Sequence, residues 1–291
     1  MAKTKINAKI NRELKNKTVL ITGGAGSIGS ELAKKILEFP VDSLRIFDID
    51  EHALFQLGKT VKDSRLRLLL GDTQNVDRVD MAGTGADIVI HLAAVKNIEI
   101  TEFNPIETIN INVNGTVNMI KMAIKNKPSK FLNISTDKSV ESSTLYGTTK
   151  QLGERVTSWA GHHIETTKFA SVRIGNVIES RGNVFSVWKE EIKNKKLISI
   201  TEPKMKRYFF HVNEAVEFIL NCIPLITEGE IFVPKMNSYA IKDLADKTSQ
   251  KQKIIGLRQG EKIKEILITK DEKNMAIEKK NMWIIRPYAN S

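Results

Sequence analysis

Tyr146 and Lys150 stand four residues apart in Leu-Tyr-Gly-Thr-Thr-Lys, a spacing that puts both side chains on one face of a helix. An ammonium held there can lower the pKa of the phenol and reach a ribose, and a phenolate so placed is a general base for an alcohol. A second constellation spans residues 18 to 29, where Thr-Val-Leu-Ile-Thr runs into Gly-Gly-Ala-Gly-Ser-Ile-Gly. Gly24, Gly26 and Gly29 satisfy G-x-G-x-x-G, and Gly23, Gly26 and Gly29 give the overlapping G-x-x-G-x-x-G. Glycines so spaced allow a tight turn, let backbone approach a pyrophosphate and pack a helix closely on a strand. The phosphate would rest on the N-terminus of a helix over 27 to 38. Asp48 follows Gly29 by 19 residues, near the separation of the acid that holds an adenine-side ribose. A carboxylate there favours NAD, because it repels a 2′-phosphate. Each pattern alone has an ordinary reading, as a Gly-rich turn, a turn-forming acid or a helical surface pair; their order along the chain links them.

That order is set by the elements that would carry them. Short apolar strand candidates at 18 to 22, 43 to 49, 65 to 70, 87 to 92, 130 to 135 and 168 to 174 alternate with helical stretches. Such alternation predicts an α/β fold, a doubly wound parallel sheet of the Rossmann kind with helices on both faces and ligands beyond the carboxyl ends of its strands. The informative residues fall at those ends. Gly23, Gly26, Ser27, Ile28 and Gly29 follow the first strand, Asp48 the second and Asp72 the third. Ala93, Ala94 and Lys96 follow the fourth, and Thr136, Asp137 and Lys138 the fifth. Tyr146 and Lys150 come a short loop later, where they can face a nicotinamide laid across the strand ends.

Past residue 175 the alternation gives way to Gly, Pro and Lys punctuation, which predicts a smaller, discontinuous substrate-binding lobe. The expected division is a basic leader over 1–16, a dinucleotide-binding domain over 17–177 and 208–228, and the lobe over 178–207 and 229–291.

Composition narrows the function classes. The 291 residues, 41% hydrophobic and 27% charged, can bury a substantial core. No apolar stretch approaches the ~20 residues of a membrane span, and the first residues lack the apolar core of a signal peptide, so cytoplasmic residence without membrane contact is expected. The single cysteine, Cys222, lies in an apolar helix-like run, which leaves no disulfide or thiolate cluster, and the five histidines show no ligand spacing; no metal is expected. The net charge of +11 is spread among acids with no recognition motif, so it reads as a solvated surface that attracts anionic nucleotides, not as a nucleic-acid face.

The chain resembles the extended short-chain dehydrogenase/reductases, in particular the UDP-N-acetylglucosamine 4,6-dehydratases that invert C5 and the related polysaccharide-biosynthesis proteins, from about residue 17 to 270. The segments that carry this resemblance are 21–31, His-Leu-Ala-Ala-Val-Lys-Asn-Ile at 91–98, 104–116, Ser-Thr-Asp-Lys-Ser at 135–139, 145–150, 173–177 with 180–184, and Leu-Arg-Gln-Gly-Glu-Lys at 257–262. The resemblance implies dehydration of a UDP-sugar for surface glycan assembly. Tyr146 would take the C4 hydroxyl proton as hydride passes to the cofactor, Lys150 would tune Tyr146, and Thr136 would hold the sugar hydroxyl. A lysine at 138, where C5-retaining enzymes carry glutamate, is similar to the inverting subfamily: neutral Lys138 would remove the C5 proton while Asp137 protonates the departing C6 oxygen. For that, Lys138 must lose its proton near neutral pH, which calls for desolvation or a nearby cation. By the same resemblance Asn176, Arg181, Arg207, Arg258 and Glu261 would contact the nucleotide-sugar, Lys96 would line the same pocket, and the protein would form a dimer or larger homo-oligomer.

The chain departs from the family at Asn97, Ser142, Thr144 and Gln259, in or near the sugar-facing loops. NADP stays open beside NAD, since the inverting enzymes often bind it. Two alternatives also stay open: a UDP-N-acetylhexosamine 4-epimerase, which needs Tyr146 but no base at 138, and a non-catalytic module that keeps the cofactor pocket.

Overall fold

The computed structural model describes residues 2–180, 182–258 and 260–287. Helix α1 (Ala2–Leu14) precedes strand β1 (Thr18–Thr22), and helices then alternate with strands: α2 (Ser27–Leu37), β2 (Ser43–Asp48), α3 (Glu51–Thr60), β3 (Leu66–Leu70), α4 (Val76–Gly83) and β4 (Ile88–His91). A helical crossover of α5 (Ile98–Phe103), α6 (Pro105–Ile109), a π-turn at Asn110–Asn114 and α7 (Gly115–Asn126) leads to β5 (Lys130–Thr136). Next come α8 (Leu145–His163) and β6 (Lys168–Ile174). The remainder holds β7 (Asn176–Val177), α9 (Val184–Lys193), β8 (Ile198–Ile200), β9 (Lys206–Phe210), α10 (Val212–Cys222), β10 (Glu230–Pro234), β11 (Ser238–Ala240), α11 (Ile241–Thr248), β12 (Gln252–Ile254), α12 (Lys270–Met275), β13 (Ile277–Glu278) and β14 (Met282–Ile285).

The main sheet has the order β3-β2-β1-β4-β5-β6-β10-β14-β13, parallel from β3 to β10 and antiparallel beyond. Strands β1, β4 and β5 are buried along their whole length, because helices cover both faces. Leu32, Ala33 and Ile36 of α2 pack with Val216 and Ile219 of α10 on one face. Val79, Met119, Ile120 and Ala160, from α4, α7 and α8, fill the other. Strand order reverses at β1, with β2 and β3 added on one side and β4 and β5 on the other, and this opens the crevice at the carboxyl ends of β1 and β4 where ligands of such sheets bind. The doubly wound fold expected from the sequence is therefore the fold observed.

The second lobe is built on two small sheets, β11-β9-β7 and β12-β8. Its own core gathers Trp188, Ile198, Ile200, Met205, Phe209 and Ile241.

The structure differs from the expected division at both ends. Residues 2–14, read as part of a leader, form a helix whose Ile10 and Leu14 are buried in the main core. Strands β10, β13 and β14, read as part of the lobe, extend the main sheet. The reason is apolar edge burial: Ile231, Phe232 and Val233 are fully covered once β10 pairs with β6.

Candidate active site

The glycine loop closes the turn between β1 and α2. Gly23 has φ +64°, and a Cβ on it would sit 2.6 Å from the Ala93 amide nitrogen, so only glycine brings these two strand-end loops together. Gly26 is the N-cap of α2, whose first residues are Ser27, Ile28 and Gly29. Asp48 ends β2 as expected, and its Oδ2 accepts from the Ala25 amide at 2.9 Å, while Oδ1 accepts from the Asp50 amide at 3.0 Å. Asp72 accepts from the Gln74 amide at 2.9 Å. A glycine turn at a helix N-terminus beside a strand-end carboxylate fits a dinucleotide.

Below the crevice lies a residue that sequence reasoning passed over. His91, fully buried, joins Thr22 Oγ1 at 2.6 Å and Thr116 Oγ1 at 3.1 Å, which ties β1, β4 and α7 together under the cofactor loops. Burial, together with the charge of Lys150, lowers its pKa to about 3, so it stays neutral.

Strand β5 delivers Thr136, Asp137 and Lys138 to a cleft of about 410 Å³ between the two lobes. Thr136, Lys138, Tyr146, Lys150 and Asn176 line it, along with Ile28, Ala94 and Lys96; Asp137 lies just beneath, fully buried. A single turn of 3₁₀ helix at Asp137–Ser139 aims Lys138 inward, held by Ser139 Oγ, whose one proton has the Thr136 carbonyl at 2.7 Å and Glu154 Oε1 at 2.9 Å as acceptors. Helix α8 starts against that turn. Thr144 caps it by accepting from the Gly147 amide at 3.1 Å, and a Cβ on Gly147 would meet the Lys138 carbonyl at 2.2 Å. Thr144, a departure from the family pattern, thus serves as the cap of the helix that carries Tyr146 and Lys150. Ser142 bonds Thr148 at 3.0 Å, and Asn97 caps α5.

The protonation pattern is not the one expected. Lys138 Nζ contacts Asp137 Oδ1 at 3.2 Å, Asn176 Oδ1 at 3.2 Å and Glu265 Oε1 at 3.0 Å. Burial works against its charge, but Asp137 and Glu265 outweigh burial and push its pKa up. Two carboxylates contact it directly, and the nearby Arg207 guanidinium is bound to one of them. Burial pushes the Asp137 carboxyl up to about 7, opposed by Lys138 and reinforced by Glu265. Glu265 itself, despite burial, is held low by Lys138, Asp137 and Arg207. The Tyr146 phenol, within reach of Thr136, is raised by burial, and Lys138, not Lys150, is the cation that draws it back. Burial lowers Lys150 to about 8 against the pull of Glu154.

The second lobe brings Asn176, Arg207, Arg258 and Glu261 to the same cleft. Arg207 Nε lies 3.4 Å from Glu265 Oε1, and Asn176 Nδ2 donates to the Tyr208 carbonyl at 3.0 Å. Arg258 pairs with Glu99 of α5 at 3.2 Å across the mouth, and Glu261 accepts from the Arg258 amide at 3.1 Å. Arg181 lies outside the described residues, as does Gln259. Glu265 is the cleft carboxylate that the sequence reading missed; it follows Glu261 by four residues, and only the fold brings it to Lys138.

A family model described as polysaccharide biosynthesis protein matches residues 19–287. A protein of Methanocaldococcus jannaschii named uncharacterized membrane protein is 40% identical over 96% of this chain and 88% of its own length. Among the described residues, no helix of the present chain is long and apolar enough to cross a membrane. The inverting UDP-N-acetylglucosamine 4,6-dehydratase of Campylobacter jejuni is 34% identical over 93% of this chain and 83% of its own. A UDP-glucose 4-epimerase of Rickettsia canadensis is 35% identical over 88% and 79%. The X-ray structure of Pen from Bacillus thuringiensis superposes with a TM-score of 0.91 at 34% identity, covering 95% of this chain and 90% of that one.

Proposed function

The chain belongs to the polysaccharide biosynthesis protein family, on an extended short-chain dehydrogenase/reductase scaffold, and from that premise we propose that it is a UDP-sugar 4,6-dehydratase acting on UDP-N-acetylglucosamine with inversion at C5. The observation that carries this reading is Lys138 Nζ in the cleft beside Asp137, on the same wall as Tyr146. An amine and a carboxyl at adjacent positions can work on adjacent carbons of one sugar.

Thr136 would hold the C4 hydroxyl while Tyr146 takes its proton. Bound NAD would supply the oxidant for C4 and return the same equivalents to C6, so it is regenerated in each turnover. The C4 ketone acidifies the C5 proton, which the neutral amine of Lys138 removes; the electron pair forms the C5–C6 double bond, and the C6 oxygen leaves as water with a proton from Asp137. Return of a proton to C5 on the opposite face gives the inverted product. Lys150 sits one helical turn below Tyr146 to orient the cofactor ribose. Asn176, Arg207, Arg258 and Glu261 would hold the nucleotide-sugar, the arginines at its pyrophosphate.

A 4-epimerase is the second reading, favoured by the charged state of Lys138 as it stands, since epimerisation needs Tyr146 but no base at C5. Incubation with UDP-N-acetylglucosamine and NAD separates the two by product mass. Loss of one water supports the dehydratase, while an isomer of unchanged mass supports the epimerase.

A further inference from the structure

The proposed chemistry leaves one buried carboxylate at its centre without a part. Glu265, 6% exposed, places Oε1 3.0 Å from Lys138 Nζ and 3.4 Å from Arg207 Nε, while Oε2 accepts from Asn176 Nδ2 at 3.4 Å. Asp137 contacts the same ammonium. Its Oδ1 accepts from Thr136 Oγ1 at 3.0 Å and from Lys138 at 3.2 Å, but its buried Oδ2 meets no hydrogen-bond donor. Glu265 is close enough to share a proton with it.

The two carboxylates are therefore unequal. Glu265 has two cations and an amide to hold its charge, whereas Asp137 has an orphaned oxygen and an anion for a neighbour. A proton on that oxygen turns an unsatisfied acceptor into a donor toward Glu265. We propose, resting on the dehydratase reading, that Glu265 is a positioning residue: anchored as an anion by Arg207, it makes Asp137 the carboxyl that takes the proton beside Lys138.

The consequence is a way to arm both groups at once. Transfer of one proton from Lys138 Nζ to the Asp137 carboxylate breaks an N–H bond and forms an O–H bond, leaving a neutral amine beside a neutral acid with no exchange with solvent. The pair must hold a single proton for this, and the anion of Glu265 raises the proton affinity of both members. The other titratable groups facing them are Tyr146 from α8 and Arg207 and Tyr208 from β9.

The test is a carbon-13 NMR titration of the Asp137 carboxyl in the full-length protein, its signal assigned by its loss in Asp137→Asn. The unmutated protein should titrate near neutrality. Glu265→Gln, which keeps the shape and removes the charge, should move that midpoint down by about one pH unit or more. Glu265→Asp should restore it. In the turnover profile, Glu265→Gln should shift both limbs of kcat to lower pH, and Glu265→Asp should return them. A midpoint for Asp137 in the ordinary carboxylate range in the unmutated protein, which needs no variant to fold, overturns the proposal, and so does a midpoint unmoved by Glu265→Gln. Failure to dehydrate UDP-N-acetylglucosamine would remove the dehydratase reading while the titration still decides the part of Glu265.

Discussion

Lys138 Nζ contacts both Asp137 Oδ1 at 3.2 Å and Glu265 Oε1 at 3.0 Å, so one ammonium ties the end of the central strand β5 to the second lobe. The contact that positions the amine also keeps it charged. A base at this position has to be made neutral during the reaction, and its nearest proton acceptors are the carboxylates that hold it.

Oxidation at C4 should become faster as pH rises. The Tyr146 phenol is held above its ordinary pKa by burial, so the phenolate that accepts the hydroxyl proton is the minor form at neutrality and grows with pH. Single-turnover formation of reduced nicotinamide, followed by absorbance, checks this. Tyr146→Phe should lower the rate by ~10²–10⁴-fold, and a rate that falls with rising pH speaks against Tyr146 as the base.

Gly23→Ala should weaken cofactor binding and the fold together. The residue is at φ +64°, and the new Cβ would lie 2.6 Å from the Ala93 amide nitrogen, so either the turn or the loop after β4 must shift. A loss of ~1–3 kcal/mol in denaturant unfolding is expected, with a raised Kd for NAD by calorimetry. Unchanged affinity would place the cofactor elsewhere.

His91 makes the protein sensitive to acid in a defined window. Its pKa is about 3 when folded against a reference of 6.5, so below 6.5 the unfolded chain binds a proton that the native one refuses. This contribution to stability is complete above pH 6.5 and is lost as pH falls toward 3. Thermal unfolding of the parent and of His91→Gln across that range should show a shallower acid loss in the variant.

Arg173 and Glu154, both about 3% exposed, form a buried pair at 2.8 Å that also engages Glu272 at 2.9 Å and, through Glu154, Ser139 in the turn beside Lys138. Arg173→Met leaves the Glu154 charge uncompensated and should cost ~3–5 kcal/mol in denaturant unfolding. The double variant with Glu154→Gln should recover much of that loss. Equal losses in the single and double variants would show that the pairing itself is not what stabilises this region.

How much of this was legible in the sequence follows from how local each signal is. Strands β1, β2, β4, β5 and β6 announce themselves as short apolar runs, and the glycines at 23, 26 and 29 mark the turn between β1 and α2, because both depend on neighbouring residues. Strand β10 is as buried but stands alone after the alternation has faded, and its parallel partner β6 lies more than fifty residues away, so nothing local distinguishes it from lobe structure. In the cleft, Tyr146, Lys150, Asp137 and Lys138 could be named from spacing and family likeness. Their protonation could not, since it depends on Glu265 and Arg207, which reach Lys138 and its partners only through the packing of the second lobe. The departures at Asn97 and Thr144 look like drift in the sequence and turn out to be helix caps.

The central claim is that Lys138 removes the C5 proton, and the most direct measurement is turnover of UDP-N-acetylglucosamine in heavy water followed by proton NMR, with Lys138→Met in parallel. The account predicts a product with a new C6 methyl, inverted C5 and solvent deuterium at C5, formed ~10²–10⁴-fold more slowly by the variant. An unlabelled C4 isomer, or C5 labelling that proceeds undiminished without the lysine, would contradict it.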